Sequence, residues 1–267
     1  MQRERPPQKQ RSTSWEPVGK WYQNAVGDDG HYYHQKIVIP GVLRLLNLDK
    51  KQNVELLDLA CGQGVLARHL PETFLYTGID LSTTLIKAAK KIDLNPRHKY
   101  IVSDVTKPLP LGNKESVFSH AAIILALQNI EQPDFVLRNL FPHLKQGGKL
   151  VIVLNHPCFR IPRQSSWQVD QEKKIQYRRV DRYLTELKIP IQAHPSKGEQ
   201  SAETWTFHHP LSSFSRWLHE AGFAITLMEE WCSDKVSTGG AAKMENRSRE
   251  EFPLFLTIVA EKRVSVA

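Results

Sequence analysis

Cysteine and long apolar runs are both scarce in this 267-residue sequence. Its three cysteines, Cys61, Cys158 and Cys232, lie far apart and form no Cys-x-x-Cys pair, which argues against a disulfide framework and a structural zinc site. The longest apolar run, residues 121–127, is far shorter than the ~20 residues that cross a bilayer, so no membrane-spanning helix is predicted. The N-terminal stretch is positively charged with no apolar segment behind it, which predicts no secretory signal and a cytoplasmic location.

Acidic residues are outnumbered by basic ones, 28 against 36, and the net charge is +8. A basic chain can bind nucleic acid through phosphate contacts. Much of the excess, however, lies at Arg3, Arg5, Lys9 and Arg11 and in the stretch 160–188, where acids are interspersed. Because no basic run is interleaved with aromatic residues, a nucleic-acid partner stays open but is not favoured.

The pattern of apolar residues divides the chain into successive parts. Residues 1–14 have almost no apolar side chains and predict a disordered basic tail, whereas residues 15–50 predict helices. Over residues 51–155, short apolar runs alternate with helical segments, as in a parallel sheet that is covered on both faces. This alternation predicts an α/β fold with a Rossmann-like, doubly wound sheet.

The alternation stops after residue 155, and residues 156–210 form a segment too long for a plain connection. Residues 211–263 predict a helix that Gly222 ends, then two strands, 223–228 and 254–260, joined by a polar loop over 233–251. Within 156–210, apolar residues at helical spacing predict a helix in a cap over the sheet, and these are Tyr177, Val180, Tyr183, Leu184 and Leu187.

The strongest candidate site is the run DLACGQG, from Asp58 to Gly64, at the end of a predicted strand. Glycine lets the backbone approach a ligand, so a side chain at Gly62 or Gly64 would be expected to point into the ligand. After this loop the sequence predicts a helix that Pro71 ends. The spacing Gly62-x-Gly64-x-x-Ala67 also matches the dinucleotide fingerprint, which alone is weak. Asp58 favours another ligand, because a carboxylate there would repel a pyrophosphate and attract an ammonium and a sulfonium.

Two more acids follow the next two predicted strands. Asp80 stands about 20 residues after the first loop, the spacing at which a carboxylate accepts both hydroxyls of a ribose. Asp104 follows the third strand and can accept the amino group of an adenine. Because the carboxyl ends of neighbouring parallel strands meet at one edge of a sheet, Asp58, Asp80 and Asp104 are expected to converge on one crevice.

These motifs resemble the class I S-adenosylmethionine-dependent methyltransferases, of the small-molecule-like type 11 group. The segments LLDLACGQG, GIDLS, SDV and GGKLVIV occur in that family's order and cover residues 50–155 closely. The resemblance implies S-adenosyl-L-methionine as cofactor and the strand order 3-2-1-4-5-7-6, with strand 7 antiparallel. It also implies that residues 15–50, with the stretch 27–34, fold over the cofactor that the core over 51–155 binds.

The resemblance also assigns residues to parts of the cofactor. The methionine end maps onto the first loop, the ribose onto Asp80, and the adenine onto Asp104 with Val105 beside it. Ala60 stands where the family often has glycine, which is a mild departure. The residues implied in cofactor binding are Tyr33, Asp58, Ala60, Cys61, Gly62, Gly64, Asp80, Leu81, Ser82, Asp104, Val105 and Ala121.

The methyl acceptor is predicted to lie against the segment 156–210, which leaves from the ligand-binding edge and carries several aromatic residues. His156, directly after the last predicted strand of the core, is the candidate catalytic general base. The Asn/Asp-Pro-Pro-aromatic motif of amino-methylating nucleic-acid enzymes is absent, since its place reads AAII. We therefore expect in-line methyl transfer to a small molecule, without a metal. An RNA or protein methyltransferase, or a non-catalytic S-adenosylmethionine-binding module, is the alternative.

Overall fold

A seven-stranded sheet forms the centre of the fold. The structure is a computed structural model that describes residues 15–48, 54–112, 115–192, 201 and 203–263. The predicted tail over residues 1–14 lies outside the described residues. The strands are β1 (Glu55–Leu59), β2 (Leu75–Asp80), β3 (His98–Val102), β4 (Phe118–Ile124), β5 (Leu144–Asn155), β6 (Ser165–Asp170), β7 (Ile175–Val180), β8 (Leu187–Gln192), β9 (Glu203–His208), β10 (Phe223–Trp231) and β11 (Phe255–Lys262).

The order of the strands in the large sheet is β10-β11-β5-β4-β1-β2-β3. Strands β1 to β5 are parallel to one another, whereas β11 is antiparallel to both β5 and β10. This is the predicted order 3-2-1-4-5-7-6 with strand 7 antiparallel, so the predicted fold class is confirmed. All five parallel strands therefore point their carboxyl ends at the same edge, where open α/β sheets bind ligands.

Helices cover both faces of this sheet. None in the described part of the chain is both long and apolar enough to cross a bilayer. The α3 helix (Thr83–Ile92) is capped by Ser82, whose hydroxyl oxygen accepts the Leu85 N–H at 3.2 Å. The helices are α1 (Gly19–Val26), α2 (Ile39–Leu46, preceded by a π-helical turn over His34–Val38), α3 (Thr83–Ile92), α4 (Pro133–Leu140), α5 (Leu211–Glu220) and α6 (Ala242–Glu251).

Alternate residues of the strands enter two apolar cores, one on each face of the sheet. In β1, Leu57 packs with α4 and α5 residues, whereas Leu56 packs with α2 and α3 residues. Both leucines have no exposed surface, because helices cover both faces. Successive side chains of a strand point to opposite faces, so a run of consecutive apolar residues is what this position in the sheet requires.

The predicted helix after β1 is wrong. The chain instead forms tight turns and a short 3-10 helix, Ala67–His69, before Pro71. Ala60, Gly62 and Gly64 all have positive φ. Because a right-handed helix cannot contain such residues in succession, too little chain remains before Pro71 for a regular helix.

The predicted helix in the segment 156–210 is also wrong. The segment forms two antiparallel hairpins, β6–β7 and β8–β9. The apolar residues at helical spacing do not share a buried face, since Tyr177 is 46% exposed and Leu184 is 76% exposed. Aromatic and β-branched residues in these strands favour the pleated conformation instead.

The polar loop predicted over residues 233–251 contains the helix α6, which has no apolar stripe to reveal it. Its buried residue Ser248 donates a hydrogen bond to the Gln176 carbonyl of β7 at 3.0 Å. Glu245 and Arg249 form an ion pair at 3.5 Å along its surface. The helix is therefore stabilised by contacts to the hairpin, which local sequence patterns do not encode.

Gly222, which ends α5, has a φ of +95° and packs against the ring of Phe141. A Cβ at Gly222 would lie 2.6 Å from the Phe141 ring, whereas Gly239, with a φ of +94°, has nothing within 4 Å. We expect Gly222→Ala to lower the free energy of unfolding by about 1–3 kcal/mol more than Gly239→Ala, because only the former adds a clash to backbone strain. Urea unfolding measures both; equal losses would contradict this packing.

Candidate functional site

A cavity of about 600 Å³ lies at the carboxyl ends of β1, β2, β4 and β5. The N-terminal helical region and the hairpin β8–β9 complete its walls. It therefore lies where the sheet topology predicts a ligand site. The residues that line it include Trp15, Tyr22, His31, Tyr33, His34, Ala60, Gly62, Asp80, Leu81, Asp104, Val105, Lys107, Ile124, Leu125, Gln128, Glu131, Asn155, Arg160, Ile191, Thr206 and Phe255.

Asp80, the last residue of β2, lines this cavity and is 8% exposed. Its Oδ2 accepts the backbone N–H of Gly62 and its Oδ1 accepts the N–H of Ser82, both at 2.8 Å. Burial raises the pKa of Asp80, and the two N–H donors act in the opposite direction. Each carboxylate oxygen has a further lone pair, so the group can accept two ligand hydroxyls while it holds the loop.

Asp104 lines the same cavity, together with Val105. Its Oδ1 accepts the backbone N–H of Thr106 at 2.9 Å and the hydroxyl of Thr106 at 2.7 Å. These bonds orient the carboxyl group through its Oδ1. The predicted convergence of Asp80 and Asp104 on one crevice is therefore observed.

Asp58 does not line the cavity. It is 3% exposed, and its Oδ2 accepts the Tyr76 hydroxyl at 2.7 Å. Burial raises the pKa of Asp58 to about 7, and the nearby Asp80 charge acts in the same direction. Asp58 is thus a buried, hydrogen-bonded acid behind the loop, and a direct contact with a ligand ammonium stays a prediction.

The loop after β1 owes its shape to residues with left-handed backbone conformations. Ala60 has a φ of +55° and lines the cavity, although a non-glycine residue costs ~1–2 kcal/mol in that region. Gly62, with a φ of +57°, also lines the cavity, and a Cβ there would meet only Tyr22, at 3.7 Å. A Cβ at Gly64 would instead lie 2.6 Å from the Tyr100 hydroxyl. Glycine is therefore required at position 64 because Tyr100 packs against the loop there, and not because a ligand approaches the backbone.

The N-terminal region is tied to this loop and to α3 by polar contacts. Glu16 accepts hydrogen bonds from the hydroxyls of Ser82 at 2.5 Å and Thr84 at 2.6 Å. The Gln63 side chain donates to the Gly27 carbonyl at 2.5 Å. Trp15, Tyr22 and Tyr33 consequently lie along the wall of the cavity.

His156, the candidate base, does not line the cavity. Its Nδ1 accepts the backbone N–H of Cys158 at 3.2 Å, and its Nε2 lies 2.7 Å from Glu230 Oε1. Because Nδ1 accepts, Nε2 carries the proton and donates it to Glu230 in the neutral ring. Both nitrogens are engaged away from the crevice.

Sequence reasoning and structure agree on only part of the site. Seven of the predicted cofactor residues line the cavity: Tyr33, Ala60, Gly62, Asp80, Leu81, Asp104 and Val105. Five do not line it: Asp58, Cys61, Gly64, Ser82 and Ala121. Among the lining residues that sequence reasoning missed are Trp15, Tyr22, His31, His34, Gln128, Asn155 and Arg160.

Comparisons with known proteins identify the core. The methyltransferase domain family matches residues 57–152. An uncharacterised methyltransferase of Schizosaccharomyces pombe is 31% identical over 115 residues, 41% of this chain and 42% of that protein. A demethylmenaquinone methyltransferase of Chlamydia trachomatis is 32% identical over 108 residues, 39% of this chain and 45% of that protein. The matched region thus spans less than half the length of these curated relatives.

Structural similarity extends over much more of the chain. The crystal structure of an S-adenosylmethionine-dependent methyltransferase from Mesorhizobium loti has a TM-score of 0.65 and 25% identity, with 88% of this chain and all of that chain covered. Residues 57–152 therefore form a methyltransferase domain, and the fold of the chain is that of S-adenosylmethionine-dependent methyltransferases. This confirms the class that the motifs resemble and its cofactor, S-adenosyl-L-methionine.

The two glycines of the loop are expected to respond differently to a methyl group. Gly64→Ala should lower the free energy of unfolding by about 1–3 kcal/mol beyond backbone strain, because its Cβ would overlap Tyr100. Gly62→Ala should add only strain, yet weaken binding of S-adenosylmethionine, because Gly62 lines the cavity. Urea unfolding and calorimetric titration of both variants test this, and an equal stability loss would refute the assignment of Gly64 to packing.

Asp58 should make stability depend on pH in a definite direction. Its folded pKa is raised from 3.8 to about 7, so the folded state holds a proton that the unfolded state releases in this window. Stability is then lost as pH rises from about 4 to about 7. Asp58→Asn removes this group, so the fall in unfolding free energy between pH 4.5 and 7.5 should be smaller in the variant, by about 2–4 kcal/mol. Parallel pH profiles would contradict a raised pKa.

Proposed function

We propose that this chain transfers the methyl group of S-adenosylmethionine to a small-molecule acceptor bound between the sheet edge and the hairpin β8–β9. The shape of the cavity supports this proposal most. The cavity, about 600 Å³ in volume, extends from Asp80 and Asp104, which follow β2 and β3, to the carboxyl ends of β4 and β5. Small-molecule sites have volumes of ~300–1,000 Å³. A cavity of this size favours a small acceptor over an RNA or a protein.

In this proposal the parts of the chain have separate tasks. Residues 15–50 cover the cofactor, residues 51–155 bind it, and residues 156–210 form the acceptor side. Ile191 and Thr206, from opposite strands of the β8–β9 hairpin, line the cavity and support the last assignment. Residues 211–263 complete the sheet with α5 and the antiparallel pair β10–β11.

The residues at the acidic end fit the cofactor. Asp80 is oriented by two backbone donors and has lone pairs left for the hydroxyls of a ribose. Asp104 is held by Thr106 and can accept the amino group of an adenine. Gly62 offers backbone without a side chain at the cavity wall, so a ligand can lie against it.

S-adenosylmethionine supplies an electrophilic methyl group on its sulfonium. The task of the chain is therefore to align the acceptor behind that methyl group and to exclude water. His34 lines the cavity, and burial lowers its pKa to about 4. A ring that is so weakly basic stays neutral at pH 7 and can accept a hydrogen bond, but it is poorly matched to proton removal. The proposal assigns no proton transfer to His156.

Cofactor affinity should depend strongly on Asp80. Asp80→Ala removes two charge-assisted hydrogen bonds to the ribose, each worth ~1.5–3 kcal/mol, so the Kd for S-adenosylmethionine should rise by at least about 100-fold. Calorimetric titration measures it. The variant Asp80→Asn keeps the side-chain volume, so it separates loss of the carboxylate from loss of the fold. Asp134→Asn, on α4 outside the cavity, is the control and should bind normally.

A rise of less than about fivefold for Asp80→Ala would remove Asp80 from the cofactor site. Release of S-adenosylhomocysteine, measured with a panel of small hydroxy, amino and carboxylic acids and with bulk tRNA, tests the acceptor class. Product formation with tRNA alone would contradict a small-molecule acceptor. Tight cofactor binding without turnover of any acceptor would favour the non-catalytic module.

A further inference from the structure

The end of the cavity at β4 and β5 carries polar groups that the cofactor assignments do not use. Gln128 is 7% exposed, and its Oε1 is buried without a hydrogen-bond partner. His34, which lines the cavity from the N-terminal region, is 6% exposed, and its Nδ1 is likewise unpartnered. Buried polar atoms are normally hydrogen-bonded, so such orphans beside a cavity indicate a polar ligand. This end is therefore built to bind something polar.

Arg160 contributes a partly satisfied guanidinium to the same end. Its Nη1 donates to Asn155 Oδ1 at 2.7 Å and to the Leu254 carbonyl at 3.3 Å, and the group lies 5.5 Å above the Phe255 ring. These contacts hold the side chain in place. Its Nε and Nη2 make no hydrogen bond within the described part of the chain, and they are not sealed from solvent. The free Nε and Nη2 edge has the geometry that pairs with both oxygens of a carboxylate.

The charge of Arg160 has no counterion among the residues that the structure describes. No carboxylate of the described residues forms an ion pair with it. Glu131, the acid of this end, pairs with Lys188 at 2.7 Å. Burial lowers the pKa of Arg160, and the nearby Arg178 charge adds to this effect. A half-buried cation without a counterion favours an anionic ligand.

The topology separates Arg160 from the acidic end of the cavity. Asn155 ends β5, and Arg160 follows it closely. Strand β5 is two positions from β1 and four from β3 in the sheet. At ~4.8 Å between neighbouring strands, these are distances of roughly 10 Å and 19 Å. Asp80 and Asp104 belong to the β2 and β3 side, so the cofactor and an anion at Arg160 would occupy different ends.

We propose that Arg160 binds a carboxylate of the methyl acceptor through its Nε and Nη2 edge, and that the acceptors are small carboxylic acids with an apolar body. This inference rests on the proposed function. Ile124, Ile191 and Phe255 line the same end and supply apolar surface for that body. The unpartnered Gln128 Oε1 is available to a hydroxyl or amine of the acceptor.

Matched acids and amides test the proposal. The probes are benzoate and 4-hydroxybenzoate, their carboxamides, and phenyl phosphate, titrated by ligand-observed NMR into protein saturated with S-adenosylhomocysteine. We expect each carboxylate to bind at least about tenfold more tightly than its amide. Arg160→Met should abolish this preference. Arg160→Lys should abolish most of it, because an ammonium keeps the charge but lacks the planar pair of donors.

The control is Arg179→Gln, which removes one surface charge from β7 where Arg179 pairs with Asp181 at 2.6 Å. It should keep the acid preference, and all variants should bind S-adenosylmethionine within about threefold of the wild type. Loss of S-adenosylmethionine binding in Arg160→Met would overturn the proposal by placing the guanidinium on the methionine carboxylate of the cofactor.

Two further outcomes would also overturn it. Equal binding of acids and amides by the wild type would show that no carboxylate is recognised, and a stronger preference for phenyl phosphate would assign the site to phosphate. In either case S-adenosylmethionine binding to the wild type would still stand. Failure of the proposed function is distinguishable, because the wild type would then not bind S-adenosylmethionine, would methylate tRNA alone, or would turn over no acceptor.

Discussion

The carboxylate of Asp80 joins the elements from which the acidic end of the cavity is made. It ends β2, accepts the N–H of Gly62 in the loop after β1, and accepts the N–H of Ser82 at the start of α3. Glu16 then ties the N-terminal region to the same place through Ser82. The loop, the helix start and the cavity wall are therefore joined through one side chain.

Much of the fold was predictable because each strand of the core is a short apolar run. Burial on both faces of a parallel sheet requires such runs, and the helices between them make the strands parallel. Parallel strands place their carboxyl ends together, which is why Asp80 and Asp104 could be predicted to share a crevice. Ala60 and Gly62 were predictable for the same reason, since they directly follow β1.

The acceptor end could not be predicted from local patterns. His34, Gln128 and Arg160 come from separate elements and carry no common spacing, so only the tertiary structure brings them to one cavity. Gly64 was misassigned because its neighbour is Tyr100, a residue of another strand. Strand β7 and the connection to β8 were mistaken for a helix because their apolar residues, half-buried or exposed, form no continuous buried face.

In the proposed arrangement, one cavity binds the cofactor at the end that Asp80 and Asp104 line and leaves the other end to the acceptor. A crystal structure of the chain with S-adenosylhomocysteine tests it most directly. We expect the ribose hydroxyls to lie about 2.5–3.0 Å from the Asp80 carboxylate, and the adenine to lie beside Asp104 and Val105. We also expect the Nε and Nη2 edge of Arg160 to make no contact with the ligand. A ribose bound by other side chains, or a methionine carboxylate on Arg160, would contradict it.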